Sequence, residues 1–519
     1  MTENRGNILW VDDEVDHLKP HIIFLEDKGF NMSKTTNGQD AVTMVSRDAY
    51  DLVLLDQYMP GKDGMTTLRE IKEIKPGLPV ILITKSEEED LMDEAISENV
   101  AQFLIKPVNP TQIFMACKQV LEQSKIREES ATRGYLQEFQ KIQFQLQEEM
   151  SADDWWDIYS RLVKWQLEFD NHPDISLGDI LAEQIQSANS QFVKFITTHY
   201  KNWLFKEDRP VLSNDVFKTF VKPEIEQQRK TCLVVIDALR YDQFKVIQDF
   251  LNPYYDIKFD YQFSLLPTAT PFSRNAIFSG LFPDEFIKRF PEQLNDMETH
   301  AKSLNQHEKE MMRFAMDKAG FKEKTLRYEK INTAEQGKRF QSHYSEIKNI
   351  DVLGLVVNFV DMLAHKRAES DVLKEMVPDV SGYRSAIRTW FEHSWLFTLL
   401  RDLSRDGFTV IMTSDHGSVQ VSKGVLVGAD KETSKGVRYK IGRNLSTNEK
   451  HALIIRHPAD YRLINLMHQT TYLIAKEDVF FLYPNQQHKY ESRLKDSFQH
   501  GGISLEEMMV PVVTMRSKS

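Results

Sequence analysis

Cysteine is nearly absent. Cys117 and Cys232 are the only two in 519 residues and lie far apart in the chain, so they cannot by themselves build a disulfide framework or a thiolate metal site. A reducing, cytoplasmic setting is expected. Glycine and proline are scarce, at 21 and 18, which disfavours a loop-rich fold and favours long helices. No apolar run approaches the roughly 20 residues of a membrane span, and the first, Ile8–Val11, is too short for the apolar region of a secretory signal. No membrane span is expected. Excess positive charge is lacking as well. The formal net charge is −12, and residues 1–123 carry 22 acidic and 12 basic side chains while the remaining 396 carry 55 and 53. The acidity therefore sits in the first quarter. The nearly neutral remainder excludes generic electrostatic capture of duplex DNA as the main task, while leaving local basic grooves open.

What is present is length enough for about three domains at roughly 100 to 200 residues each. Residues 1–123 alternate apolar runs with helical patterns: Ile8–Val11, Leu52–Leu55, Val80–Ile83 followed by an acidic helix, and Phe103–Ile105. This rhythm predicts a doubly wound parallel sheet. Residues 124–205 read as a helical bundle or linker. Tyr135, Phe139, Ile142, Leu146 and Met150 keep a helical period, and Ser151 with Asp154 resembles a capping box ahead of Trp155, Tyr159 and Leu162. From 206 to 519 the α/β rhythm returns, with strands expected at Thr231–Ile236, Val352–Phe359, Thr409–Thr413 and His451–Arg456. A charged stretch at about 284–345 is expected as a helical insertion over the sheet. The fold class is thus multidomain α/β.

The first four apolar runs end on Asp12 and Asp13, Asp56, Thr84 and Lys106. In an open parallel sheet the carboxyl ends of the strands line one crevice, so these side chains can converge. Three carboxylates and a lysine make an oxygen-rich site suited to Mg²⁺. Together with Met59-Pro60-Gly61, Asp63-Gly64 and Lys106-Pro107, this set resembles the receiver domain of response regulators, a flavodoxin-like fold. The resemblance implies that Asp56 accepts a phosphoryl group from a sensor histidine kinase. It also implies that Asp12, Asp13 and Asp56 hold Mg²⁺, that Lys106 and Thr84 meet the phosphoryl oxygens, and that Phe103 occupies the aromatic switch position. Phosphorylation is expected to favour a homodimer.

A second constellation follows. Asp237 ends the run Leu233–Ile236; Asp361 and, four residues on, His365 follow Val356–Val360; Asp415 and His416 follow Val410–Thr413; His500 opens His-Gly-Gly near the end. Imidazole mixed with carboxylate suits Zn²⁺ better than Ca²⁺ or Mg²⁺. Three carboxylates and three histidines divide into two three-ligand sites, and two metals about 4 Å apart can clamp both oxygens of an in-line displacement. Thr270, in Pro267–Arg274, supplies the hydroxyl that such a pair would activate.

Order and spacing resemble the alkaline phosphatase superfamily, and Ile236-Asp237-Ala238-Leu239-Arg240-Tyr241-Asp242 narrows the likeness to its PglZ branch. Receiver, helical linker and PglZ-type domain in one chain resemble the PorX-like response regulators of type IX secretion in Bacteroidetes. The likeness implies one zinc on Asp361, His365 and His500, another on Asp237, Asp415 and His416, and Thr270 as nucleophile. Related phosphodiesterases carry asparagine three residues after the nucleophile, where this chain has Ser273; Arg274 is the candidate replacement as phosphate-oxygen donor. With no arginine in a monoester-binding position, a diester is expected as substrate. Lys423, Lys431, Lys435, Arg438, Lys440 and Arg443, interrupted by Asp430 and Glu432 and accompanied by Tyr439, form a window able to track a nucleotide or short oligonucleotide. Two other functions remain open. One is a weakly catalytic or non-catalytic switch whose phosphorylation and zinc set dimerisation and docking to a sigma factor or secretion motor component. The other is direct DNA binding, against which no helix-turn-helix pattern is visible.

Overall fold

Apolar runs covered on both faces become central strands, and this governs the two largest sheets among the described residues. The computed structural model describes residues 5–85, 98, 100–172, 177–292, 305–428, 436–466, 468–484 and 487–518. It divides into two compact units, Met1–Lys141 with Trp165–Ile180, and Ile142–Lys164 with Leu181–Ser519. Three long helices, Pro110–Gln145, Ala152–Asn171 and Gly178–Trp203, are shared between them.

In the first unit β1 (Gly6–Val11), β2 (Phe30–Thr35), β3 (Leu52–Asp56), β4 (Val80–Thr84) and β5 (Gln102–Ile105) pair in parallel in the order β2-β1-β3-β4-β5. Alternate residues feed two cores. Ile8, Trp10, Leu52 and Leu54 enter one, and Leu9, Val11, Val53 and Leu55 the other. The strand order reverses beside β1, which places a crevice at the carboxyl ends of β1 and β3. β2 has no counterpart among the expected strands, because its edge position leaves its interior partly exposed. The acidic helix expected after Ile83 falls on residues outside the described set.

In the second unit a six-stranded mixed sheet contains β6 (Thr231–Ile236), β7 (Tyr255–Phe263), β8 (Leu326–Ile331), β9 (Val352–Val357) and β10 (Thr409–Thr413), together with the C-terminal strand Met509–Ser517. Its order is β7, C-terminal strand, β10, β6, β9, β8. The C-terminal strand runs antiparallel to both neighbours, and the rest pair in parallel. The carboxyl ends of β6, β7, β9 and β10 therefore open on one side. The Ser151–Asp154 box forms: the Ser151 N–H and hydroxyl both reach Asp154 Oδ2, at 2.8 and 2.7 Å, and the Asp154 N–H returns to Ser151 Oγ at 3.3 Å. Behind it Trp155 and Phe192 are buried against each other, and Phe192 stacks on Phe263 of β7.

Three expectations are corrected. The strand at Val352 ends at Val357, and a helix opens at Phe359, so Asp361 stands in a first helical turn rather than directly on a strand. The segment around His451 does form a strand, Ala452–Ile455, but in a separate three-stranded antiparallel sheet with Tyr439–Arg443 and Thr470–Ala475. The stretch 284–345 is not wholly helical: it supplies β8, the edge strand paired with β9.

Candidate functional site

In the receiver crevice Asp12 and Asp56 are buried and Asp13 is exposed, and one carboxylate oxygen from each lies within 4.8 Å of the others. Lys106 Nζ reaches Asp12 Oδ2 at 2.9 Å and Asp56 Oδ2 at 3.0 Å. Burial raises the Asp56 carboxyl above its ordinary value, and the hydrogen bond and charge of Lys106 offset only part of that rise. Asp56 Oδ1 is buried without a hydrogen-bond partner, a cost that a divalent cation or a phosphoryl group would remove. Thr84 is fully buried at the end of β4, and its carbonyl accepts the Lys106 N–H. Phe103 packs, partly buried, against the core on one face of the sheet.

The second site grows from the central strands. β6 delivers Asp237, and Ala238 turns the chain at once through a left-handed conformation, φ 63°. β10 delivers Ser414, Asp415 and His416. Ser414 Oγ accepts the Leu239 N–H at 3.0 Å and donates to the His416 carbonyl at 2.6 Å, tying the two strand ends together. Gly417 must be glycine, because a Cβ there would stand 1.8 Å from the Glu506 carbonyl oxygen. The helix after β9 brings Asp361 and His365 onto one face at i, i+4 spacing. His500 follows the short strand Phe498–Gln499.

These residues form the two expected groups. Asp361, His365 and His500 offer ligand atoms within 4.8 Å of one another, and so do Asp237, Asp415 and His416. The groups adjoin: the His416 and His500 rings stack with centroids 4.1 Å apart. The Nδ1 atoms of His416 and His500 sit 3.0 and 3.2 Å from the Gly417 and Thr268 carbonyls. An Nδ1–H donated to each carbonyl leaves the Nε2 lone pair for a metal. Burial lowers both imidazoles, His500 to about 4 with His416 adding to the fall, so each is neutral and ligand-ready at pH 7. Burial and then the Asp237 charge raise Asp361 and Asp415. For Asp237 itself the Arg274 and histidine charges outweigh burial, and it is lowered. Asp361 Oδ1 and Asp415 Oδ2 are buried without hydrogen-bond partners. Three carboxylates, three imidazoles and two orphaned oxygens fit a pair of divalent cations.

Thr270 opens the helix Thr270–Ser279, with Pro271 in its first turn and the left-handed Gly280 closing it. Its Oγ1 lies 3.1 Å from His416 Nε2 and 3.5 Å from Asp237 Oδ1. Arg274 is buried and spends Nε on Glu308 Oε1 at 2.6 Å and Nη1 on Asp237 Oδ2 at 2.7 Å. Those two nitrogens hold carboxylates rather than facing a substrate. Ser273 is fully buried against Ser264 Oγ and the Leu265 carbonyl, so it does not stand in for the asparagine of related enzymes.

The basic window is corrected. Lys431 and Lys435, with Asp430 and Glu432, lie outside the described residues. Arg438 is fully buried in a bidentate pair with Glu507, at 2.8 and 2.7 Å, and Lys440 is buried over the Tyr483 ring. Both serve the interior, while Lys423 and Arg443 are exposed on strands. Tyr439 does approach the site, its ring edge-on to Phe272 with centroids 6.1 Å apart. Sequence reading missed Ser414, Glu308, Asn305 and Glu507. Each acts through a partner distant in sequence, and only Ser414, beside Asp415, carried a local signal.

Among the described residues no helix is long and apolar enough to cross a membrane. Comparison with known proteins finds the receiver domain of response regulators over residues 8–118 and the PorX response regulator linker domain over 125–204. It also finds the BREX system PglZ alkaline phosphatase-like domain over 216–515. Curated relatives include the alginate biosynthesis transcriptional regulatory protein AlgB of Pseudomonas syringae pv. tomato, 32% identical over 121 residues, or 23% of this chain and 27% of that one. Another is the transcriptional regulatory protein ZraR of Escherichia coli K12, 34% identical over 109 residues, 21% and 25%. The chain spans only about a quarter of the length of these two relatives. A CheY-like receiver domain protein of Methanospirillum hungatei JF-1 is 22% identical, covering 23% of this chain and 95% of its own, with a TM-score of 0.22. More than half of the chain matches one family model, and the other two complete the PorX-like order, so the chain belongs to the PglZ alkaline phosphatase-like family and carries that domain behind a response regulator receiver and a PorX-type linker.

Proposed function

We propose that the chain is a two-component response regulator whose output domain is a zinc-dependent phosphodiesterase. A sensor histidine kinase phosphorylates Asp56, with Mg²⁺ held by Asp12, Asp13 and Asp56, and Lys106 and Thr84 meet the phosphoryl oxygens. Phosphorylation favours a homodimer. The PorX-like domain order supports a place in the control of type IX secretion.

One observation carries the catalytic reading: Thr270 Oγ1 stands against one of the two adjoining ligand triads, within 3.5 Å of both its His416 and its Asp237. Zinc held by Asp361, His365 and His500, and by Asp237, Asp415 and His416, would supply Lewis-acid charge to the attacking and leaving oxygens. Thr270 attacks phosphorus from the first turn of the helix Thr270–Ser279: its Oγ1 loses its proton to solvent and forms the new P–O bond as the ester oxygen leaves and is protonated by water, and a second water then displaces Thr270 to release the monoester. Arg274 orients Asp237 by its bond to Oδ2. Its commitment to two carboxylates supports a diester, which carries one charge fewer than a monoester. Tyr439 beside Phe272 supports a nucleotide or short oligonucleotide, whose base can stack on an aromatic face.

The test is zinc content by elemental analysis together with turnover of bis-p-nitrophenyl phosphate and of the monoester. Two zinc per chain and preferential diester cleavage are expected. Thr270→Ala is expected to lower kcat by at least about 100-fold with zinc retained. Protein that binds no zinc, or a Thr270→Ala variant of undiminished activity, overturns the reading. If phosphorylation-dependent output survives that variant intact and is lost in Asp56→Ala, the chain is instead a docking switch.

A further inference from the structure

Behind the C-terminal site lies a second layer of charge. Glu308, 1% exposed, begins the helix Glu308–Lys318. Its Oε1 accepts Arg274 Nε at 2.6 Å, and its Oε2 accepts the Tyr328 hydroxyl at 2.5 Å, with Lys330 Nζ 3.5 Å away. Tyr328 and Lys330 come from β8, the strand lying within the stretch expected as an insertion. Three residues before Glu308, Asn305 donates Nδ2 to the Thr270 carbonyl at 3.2 Å and to Asn275 Oδ1 at 2.9 Å, and its own carbonyl accepts Lys330 Nζ at 2.9 Å. One short segment thus grips the backbone of the nucleophile and, through Arg274, a carboxylate of the ligand set.

Arg274 is hydrogen-bonded to two carboxylates, Glu308 and Asp237, and its Nη1 lies 3.9 Å from a third, Asp415 Oδ2. Its Nη1 takes Asp237 Oδ2, leaving Oδ1 facing Thr270 Oγ1 and His416 Nε2. Without Glu308 the guanidinium charge would fall on Asp237, and more distantly on Asp415 of the same triad, and compete with a cation for them. Glu308 draws part of that charge away, and Tyr328 and Lys330 fix Glu308 in turn.

We propose that Glu308 is a positioning residue for the C-terminal centre, setting through Arg274 the orientation and cation affinity of Asp237, with β8 as its support. This rests on the metal reading of the site given above.

The experiment compares full-length wild type, Glu308→Gln and Tyr328→Phe in zinc titrations against a chromophoric chelator and in diester kinetics. For Glu308→Gln, one of the two zinc equivalents is expected to bind about 10- to 100-fold more weakly, the other is expected to be unchanged, and kcat to fall at unchanged KM. Tyr328→Phe keeps the ring against Phe278, with centroids 5.5 Å apart, and is expected to shift the same equivalent less. It decides the matter if Glu308→Gln does not fold. Wild-type affinities and kcat in the folded variants overturn this inference and leave the zinc reading standing. Wild-type protein that binds no zinc overturns the zinc reading, and this inference with it.

Discussion

At the receiver crevice one ammonium serves two carboxylates. Lys106 Nζ lies within 3.0 Å of both Asp12 and Asp56, each nearly inaccessible to water. Removing the cation from a buried ionic group leaves the anions uncompensated, which typically costs more than the pair gained. Lys106→Ala is therefore expected to destabilise the receiver by about 3 kcal/mol in chelator. Because Asp56 Oδ1 and the released oxygens form the same set that is proposed to hold Mg²⁺, saturating Mg²⁺ is expected to restore much of the loss. Urea midpoints measured with EDTA and with Mg²⁺ decide it: an equal loss under both conditions would show that Lys106 does not compete with the cation. The same variant is expected to reduce Asp56 phosphorylation by an acyl phosphate donor, because the phosphoryl oxygens lose their cationic partner.

At the scale of elements, two turns meet behind the proposed metal ligands. The Gly417 N–H donates to the Glu507 carbonyl at 3.1 Å, and the Glu506 carbonyl oxygen occupies the space a side chain at 417 would need. Glu506 and Glu507 stand on the short helix Leu505–Met508, just after His500-Gly501-Gly502. Gly417→Ala thus wedges apart the segments that carry His416 and His500. The expected cost is about 1–3 kcal/mol of stability with zinc content well below wild type, read by thermal melting and elemental analysis. A folded variant with full zinc would refute the wedge. The strand β6 and β10 boundaries coincide with the expected Thr231–Ile236 and Thr409–Thr413, because a run buried on both faces announces itself without any pattern. The strand β9 stops short of its expected end because Asn358, at φ −95° and ψ 10°, turns the chain into a helix. The apolar residues that follow continue the run in composition but not in conformation. Asp361 and His365 were legible as candidate ligands four residues apart, though the helix that carries them was not; nor were the Arg274–Glu308 and Arg438–Glu507 pairs, since period and composition say nothing about which distant carboxylate an arginine meets.

For the whole molecule the relevant division is between two compact units and two kinds of candidate cation site. The first unit packs both faces of its own sheet, and the second surrounds a separate mixed sheet. Most of the net charge belongs to the segment bearing the Asp12, Asp13 and Asp56 group, while residues 124–519, which carry the six side chains of the two C-terminal groups, are nearly neutral. That near-neutrality suits an anionic substrate, which a strongly acidic domain would repel. A ligand that binds only the folded form stabilises it by RT ln(1 + [L]/Kd), about 2.7 kcal/mol per site when free ligand is 100 times Kd. Zinc should therefore raise the unfolding transition of the second unit and leave that of the first in place, with Mg²⁺ acting in the opposite selective way. Scanning calorimetry of the full chain is expected to show two transitions, of which only one falls on removing zinc with a selective chelator. In Asp237→Asn that fall should shrink, and the Mg²⁺ response should persist. A single transition moved equally by both cations would mean that the two cores unfold together, and that neither site can be read from the stability of its own unit.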